Sequence, residues 1–459
     1  MDVIYDFVDY FLNTRYDDLT PAARQVVKTE VIDSLGTALG GSTRPGIGEL
    51  VDLIREWGGT EQSTIIAYGI KCPAPNAALV NGAMIHALDY DDGHQESTVH
   101  MGCTTVSTGF AAAERMGSIS GRELVTCIAL GIDFMARLSL ASRPGSVLMD
   151  VGWHPTVLYG FLGTAAIAGR IFGLNKEKLV NALGIAYHQC SGNMQSIHDG
   201  VLTKRVGPGL AARGGITAAL MAERGITGAK NSLQGKAGLF NVYQAGDYDA
   251  KILTAGLGKK FETENNTFKP YPNCGHTHAA IDAVFSLKSK YEIEVDQIEE
   301  IAVYAGGSAY ALSLPLEVKR NPQNIVDAQF SLPWAVATAL VKNKVTLEDF
   351  TEKAIKNEEV LRVSRKVTGY LEPALNRHGV GPSRVTIKMK NGNEYTEHVE
   401  FCLGSVQRPT TFADSVRKFR ECYPLSRKPL SEALADQIID RVTHLEDLED
   451  ATEIIRSLG

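Results

Sequence analysis

At 459 residues the chain is too long for one ordinary core, and the length points to two domains or three. Its 44% hydrophobic and 22% charged residues are ordinary for a soluble globular protein, and a net charge of -7 argues against a general nucleic-acid surface. No run of 18 uncharged apolar residues occurs, so no membrane span is expected.

The first residues, MDVIYDFVDYFLNTRYDD, carry early aspartates and no basic stretch, and read as an amphipathic helix, not a signal peptide. Thr20-Pro21 sets a cap residue before a first-turn proline, and Asn175 starts a helix at Lys176–Tyr187. Small residues pervade SxGFAAAERMG at 107–117, GTAAIAG at 163–169 and GLAARGGITAALMAERG at 209–225. Such side chains let helices approach closely. Helix, short Gly-containing turn and helix therefore alternate up to about residue 240, and Thr156–Ile171 reads as a buried helix. Composition shifts near 259, where KKFETENNTFKPYPNCGHTH marks a boundary or a site loop. A helix at 278–289 and an alternating strand at 298–305 follow. Helices are expected near 333–344, 348–354 and 357–362, and strands 384–390 and 394–400 flank the turn Asn391-Gly392-Asn393. The tail from about 430 is helical again.

Seven cysteines lie at least twenty positions apart, so CxxC zinc, redox and iron–sulfur motifs are absent, and the sparse odd set fits a reducing, cytoplasmic setting. GGSTRPGIG at 40–48 lacks the spacing of a nucleotide loop, and no H-E-x-x-H occurs. Neither a metal nor a cofactor is expected.

Eight of the eleven histidines fall between 86 and 278, near loop signals. In HALDYDDGHQESTVH at 86–100, three aspartates gather before His100, which stands at the entrance of a helix and can serve as a base. A zinc hydrolase site using His94, His100 and an aspartate, and a solvated acidic loop, are the competing readings. In GWHPT at 152–156, His154 reads either as a residue at a helix start, a location suited to an anion, or as a loop residue packed by Trp153. In MQSIHDGVLTKRVGPGLAARGG, Lys204 and Arg205 fall in a loop before a Gly/Ala-rich helix, either as a carboxylate clamp or as a solvated charge pair. In KPYPNCGHTHAAID at 269–282, Lys269, Cys274, His276 and His278 crowd a turn-rich run. A zinc pair is weak there because residues two apart on a helix diverge, and Cys274 reads as a nucleophile beside a histidine or as a buried thiol. A helical scaffold without catalysis would result if the four segments lay apart.

In their order and spacing these four segments resemble the MmgE/PrpD family, and the resemblance covers nearly the whole chain. The family's activities include 2-methylcitrate dehydration, cis-aconitate decarboxylation and iminodisuccinate epimerisation. The resemblance implies a mainly α fold with a large all-helical domain over 1–267 and a smaller α+β lid domain over 268–405. The C-terminal stretch 406–459 then returns to the helical domain. It further implies a homodimer that acts on a small di- or tricarboxylate without a cofactor. Asp89, His100, His154, Lys204 and Lys269 match the family's motif positions, and Tyr310 is the nearest match to a lid tyrosine. Gly93 stands where the family often has threonine, and Cys274 where the decarboxylase has histidine, with His276 two residues on. The expected chemistry is dehydration of a citrate-type acid, with epimerisation and decarboxylation as alternatives. His154 and His100 would move the proton, Asp89 would orient a partner, and Tyr310 would enter on lid closure. Lys204, Lys269, Arg205, His276 and Cys274 would meet the substrate.

Overall fold

The computed structural model describes residues 1–142, 152–377 and 379–459. The chain divides into two compact units: 1–87 with 91–266 and 411–459, and 88–90 with 267–410.

The first unit is helical. Its main helices are α1 (Ile4–Asn13), α2 (Pro21–Gly41), α3 (Ile47–Trp57), α4 (Ala74–His86), α5 (Gly102–Met116), α6 (Gly121–Ala141), α7 (Pro155–Ile171), α8 (Lys176–Gln189) and α9 (Thr203–Glu223). Local chemistry sets their starts. The side chains of Thr20, Ser120 and Asn175 each accept a backbone N–H from the first turn of α2, α6 and α8. A short hairpin, β1 (Ser63–Ile65) with β2 (Ile70–Cys72), interrupts the helices; its three-residue strands are too brief to show an alternating pattern.

Packing among α4, α5, α7 and α9 is tight because small residues line the contacts. A Cβ on Gly209 would collide with the Leu79 carbonyl oxygen, and one on Gly82 would come within 2.7 Å of the Cys103 carbonyl oxygen. Side chains at either position would push apart the helices that carry the site. Among the described residues α6 alone is long and apolar enough to cross a membrane, yet 89% of its most apolar window is buried within the protein. It also carries a buried ion pair, Arg137 Nε to Asp133 Oδ2 at 2.8 Å.

In the second unit, α10 (His278–Lys290), α11 (Leu332–Lys342) and α12 (Glu358–Ser364) accompany a four-stranded sheet of β3 (Ile298–Ala305), β4 (Val367–Leu371), β5 (Ser383–Met389) and β6 (Glu394–Val399). The strand order is β4-β3-β5-β6, with β3 parallel to β4 and antiparallel to β5. Along β5 every second residue is buried, so Val385, Ile387 and Met389 face the core with Val303, Ala283, Val284 and Trp334. Asn391-Gly392-Asn393 closes the β5–β6 hairpin, with Gly392 at φ 88°. The helix expected at 348–354 is instead two short 3-10 turns, Leu347–Asp349 and Ala354–Lys356. The Thr346–Asp349 reciprocal cap starts the first of them, which runs for a single turn.

The chain then returns to the first unit through α13 (Phe412–Cys422) and α14 (Glu432–Thr443). Lys418 of α13 buries its ammonium 2.7 Å from Asp33 of α2. This mainly α architecture, with a smaller mixed α/β region and a C-terminal return, is the fold class that the sequence implies.

Candidate active site

Two groups of histidines are assembled, one in each unit. In the first unit, α4 ends at His86, whose Nδ1 lies 2.6 Å from Asp91 Oδ2, both side chains being fully buried. The same carboxylate oxygen is 3.7 Å from His100 Nδ1. His100 also places Nδ1 2.6 Å from the Asp92 carbonyl oxygen, while its backbone N–H donates to Thr156 Oγ1 at 3.0 Å. The His86 ring packs edge-on against His100 at 4.9 Å and against His154 at 6.4 Å between centroids. His154 is the buried residue that starts α7, ahead of Pro155 at the first helical position.

Asp92 holds the start of α5. Its two carboxylate oxygens accept the backbone N–H groups of Met101 (2.9 Å) and Gly102 (3.0 Å). Asn266 Nδ2 ties Asp92 to Glu30, at 3.0 and 2.5 Å. Burial first, and then the neighbouring Asp91, push the Asp92 carboxyl up to about 6. Burial, together with the charges of Asp92 and Asp33, drives Glu30 well above the usual carboxylate range.

Lys204 is buried, and its positive charge acts on the Cys103 thiol at the heart of this group. Lys204 and Arg205 lie within the first turn of α9, not in a loop before it. The V-G-P-G run that reads as a loop is carried inside the helix because its small residues fit against α4 and α7. Arg205 buries its guanidinium, with Nη1 2.9 Å from the Pro45 carbonyl oxygen.

His86, Asp91 and Cys103 bring three donor atoms within 4.8 Å of one another. The 2.6 Å separation of His86 Nδ1 and Asp91 Oδ2 is that of a hydrogen bond. Two ligands of one tetrahedral zinc stand about 3.3 Å apart. The Cys103 thiol is also pushed well above its ordinary value by burial and by three carboxylates. In this arrangement His86 and Asp91 are a hydrogen-bonded pair beside the Cys103 thiol. His94 accepts the Ser97 N–H at Nδ1 (3.1 Å) and turns Nε2 toward Glu262, 3.7 Å away.

In the second unit, Asp89 adopts a left-handed backbone, φ 52°, which aspartate tolerates better than most residues. Lys269 Nζ sits 3.0 Å from both its carboxylate and its carbonyl oxygen, in a pair whose side chains are 10% and 4% exposed. His276 lies in a 3-10 turn and His278 opens α10. Burial and the Lys269 charge lower His276 to about 4 and His278 to about 3. His278 Nε2 is 2.9 Å from Asn273 Oδ1. Cys274 is half-buried, with its N–H donating to the Gln329 carbonyl (3.0 Å). Gln329 in turn donates to the Leu88 carbonyl (2.7 Å). Tyr310 sits on the short helix Gly307–Ala311, its ring 3.7 Å from where a Gly369 Cβ would stand.

The structure thus gathers His100, His154 and Lys204 in one unit, and Asp89, Lys269, His276 and His278 in the other. Sequence reasoning gave His86 no role, took Asp91 and Asp92 only together with Asp89 as carboxylates able to orient a catalytic group, and did not reach Glu30 or Asn266. A signal for the first two was present, since a histidine at a helix end followed five residues later by an aspartate can close back on itself.

Residues 5–251 match the MmgE/PrpD N-terminal domain and residues 271–445 the MmgE/PrpD C-terminal domain. The chain belongs to the MmgE/PrpD family. It is 27% identical to a cis-aconitate decarboxylase of Aspergillus terreus, over 97% of this chain and 94% of that one. It is 28% identical to the human cis-aconitate decarboxylase, over 95% and 90%. Identity to the 2-methylcitrate dehydratase of Salmonella typhimurium is 22%, over 92% and 89%.

Proposed function

We propose that the chain is a lyase that dehydrates a small tricarboxylic acid of the citrate type by moving a proton at the carbon beside a carboxylate. The reading rests on one observation: two histidines, His100 and His154, flank a third in the same buried group. Dehydration needs a base for the C–H proton and an acid for the departing hydroxyl, and a pair of imidazoles supplies both near neutral pH. The Asp92 carbonyl is an acceptor only, so His100 carries a hydrogen on Nδ1 and, when neutral, offers its lone pair at Nε2. Negative charge that develops on the carboxylate requires a nearby cation, the role given to Lys204. Lys269 is the corresponding cation of the second unit, where it meets Asp89. These side chains are sufficient for the chemistry without a cofactor.

Decarboxylation of a cis-aconitate-type acid is the second reading, favoured by the 27–28% identity to decarboxylases over nearly the whole chain. It requires one proton delivered to carbon as carbon dioxide leaves. Incubation in deuterated water with aconitate, methylcitrate, itaconate and aminosuccinate-type acids separates the two. Dehydration yields an unsaturated acid with no loss of carbon. Decarboxylation yields a product one carbon shorter that carries one solvent deuterium. If no acid of the panel is converted or acquires carbon-bound deuterium, proton chemistry beside a carboxylate is wrong for this chain.

A further inference from the structure

We infer that His86 and Asp91 form a buried positioning pair that fixes the ring orientation and charge of the proton-carrying His100. The inference rests on the role given above to His100 and adds two residues to that machinery. Asp91 Oδ2 is the shared element, 2.6 Å from His86 Nδ1 and 3.7 Å from His100 Nδ1. One carboxylate therefore faces the Nδ1 edge of two imidazoles. With Nδ1 of His100 committed to the Asp92 carbonyl, Asp91 acts on that ring by charge, favouring the imidazolium without taking the proton. His86 is held more directly. Its Nδ1–H donates to Asp91, which locks the ring with Nε2 turned away.

Position makes the pair more than a buried ion pair. His86 is the last residue of α4 and lies edge-on to both His100 and His154, so its orientation sets the space open to each ring. A histidine that rotated about χ2 would exchange donor and acceptor sites. Two rings packed against a locked third do so less readily. The titratable and charged groups that bear on the pair are His100, His154, Asp92 and Cys103, with Glu30 and Lys204 acting on the same thiol. Glu30 and Asp92 are both held above the usual carboxylate range, so Asp91 is the carboxylate whose charge bears most directly on the two rings. Asp91 Oδ2 is the carboxylate oxygen that both imidazoles face.

The test does not depend on knowing the substrate. Nitrogen-15 labelling of the histidines in the full chain, with signals assigned by single substitutions, reports tautomer and titration for each ring. In the unaltered protein the expected result is a hydrogen on Nδ1 of both His86 and neutral His100. In D91N the expected result is a His100 pKa lower by about half a pH unit or more, because the nearest negative charge is gone. On whichever acid the deuterium panel identifies, D91N lowers turnover about tenfold or more, with KM changed less than threefold and the ascending limb of the pH profile moved to lower pH. A neutral His86 that carries its hydrogen on Nε2 in the unaltered protein overturns the inference, even if D91N does not fold. A folded D91N with an unchanged His100 titration overturns it as well. Failure of every acid in the panel would remove the dehydration reading and leave both spectroscopic outcomes to decide the pair.

Discussion

The two histidine groups are built from the same side chain and placed in opposite fields. His86 and His100 in the first unit lie against the Asp91 carboxylate. His276 and His278 in the second lie near the Lys269 ammonium and are pushed down to about 4 and about 3. An imidazole beside a carboxylate can gain and lose a proton near neutrality. One that is buried near an ammonium stays neutral and can only donate or accept hydrogen bonds. Counting histidines in a motif therefore says little about proton transfer; the sign of the nearest charge decides it.

The largest effect expected from this contrast is on catalysis. His154→Ala and His100→Ala should each lower turnover by about 10²-fold or more, the range for a lost general acid or base. His276→Ala should act mainly on KM, with turnover changed less than about tenfold. Steady-state kinetics on the acid found by the deuterium panel checks both, and an equal loss of turnover in all three variants would break the contrast.

Acid should separate the units next. His278 has a folded pKa below that of the unfolded chain, so its contribution is intact above about 6.5. That contribution is lost as pH falls toward 3, by up to about 5 kcal/mol from the shift alone. Asp92 runs the other way. Its folded pKa is raised, so its stabilising effect is complete below about 3.8 and is lost as pH rises through about 6. Hydrogen exchange between pH 6.5 and 4, corrected for intrinsic rates, should show protection falling in 273–290 while 92–116 holds. Parallel loss in both segments would show that these groups do not set the acid response.

The smallest effect belongs to Asp92→Asn. Asparagine has one acceptor oxygen where the carboxylate uses two, so a donor at Met101 or Gly102 loses its partner and stability at pH 5 should fall by about 1–3 kcal/mol. The decline in stability between pH 5 and 7 should flatten, as denaturant melts at each pH would show. An unchanged slope would assign that decline to Glu30.

Much of this fold is written in local signals. Thr20 and Asn175 mark helix starts through cap chemistry, and Asn391-Gly392-Asn393 marks a hairpin; such features depend on neighbours in the chain. Strand β4 is different. It pairs in parallel with β3 across more than sixty intervening residues, and only tertiary packing selects it. The V-G-P-G run after Arg205 reads as a break, and becomes helix because α4 and α7 receive its small residues. Within the site, His100, His154, Lys204 and Lys269 could be singled out because they belong to recognisable motifs. Glu30 and Asn266, more than two hundred residues apart, meet only through the folded chain. His86 reads as one more residue of a helix end, and only the fold turns Asp91 back onto it.

The left-handed backbone at Asp89 has a consequence for how this stretch can vary. Asp89 belongs to one unit and Asp91 and Asp92 to the other, so the turn deals three nearly adjacent acids out to different neighbours. Chemically the acids are interchangeable; their phase along the chain is not. Inserting or deleting one residue between His86 and Asp92 would preserve the acidic composition of the motif and still scramble every assignment, handing the lysine's carboxylate to the histidines or the reverse. Substitutions that keep the count can drift, whereas a frame slip of one is lethal to the arrangement. Comparisons of this segment across sequences should weigh an alignment gap here more heavily than any exchange of side chains.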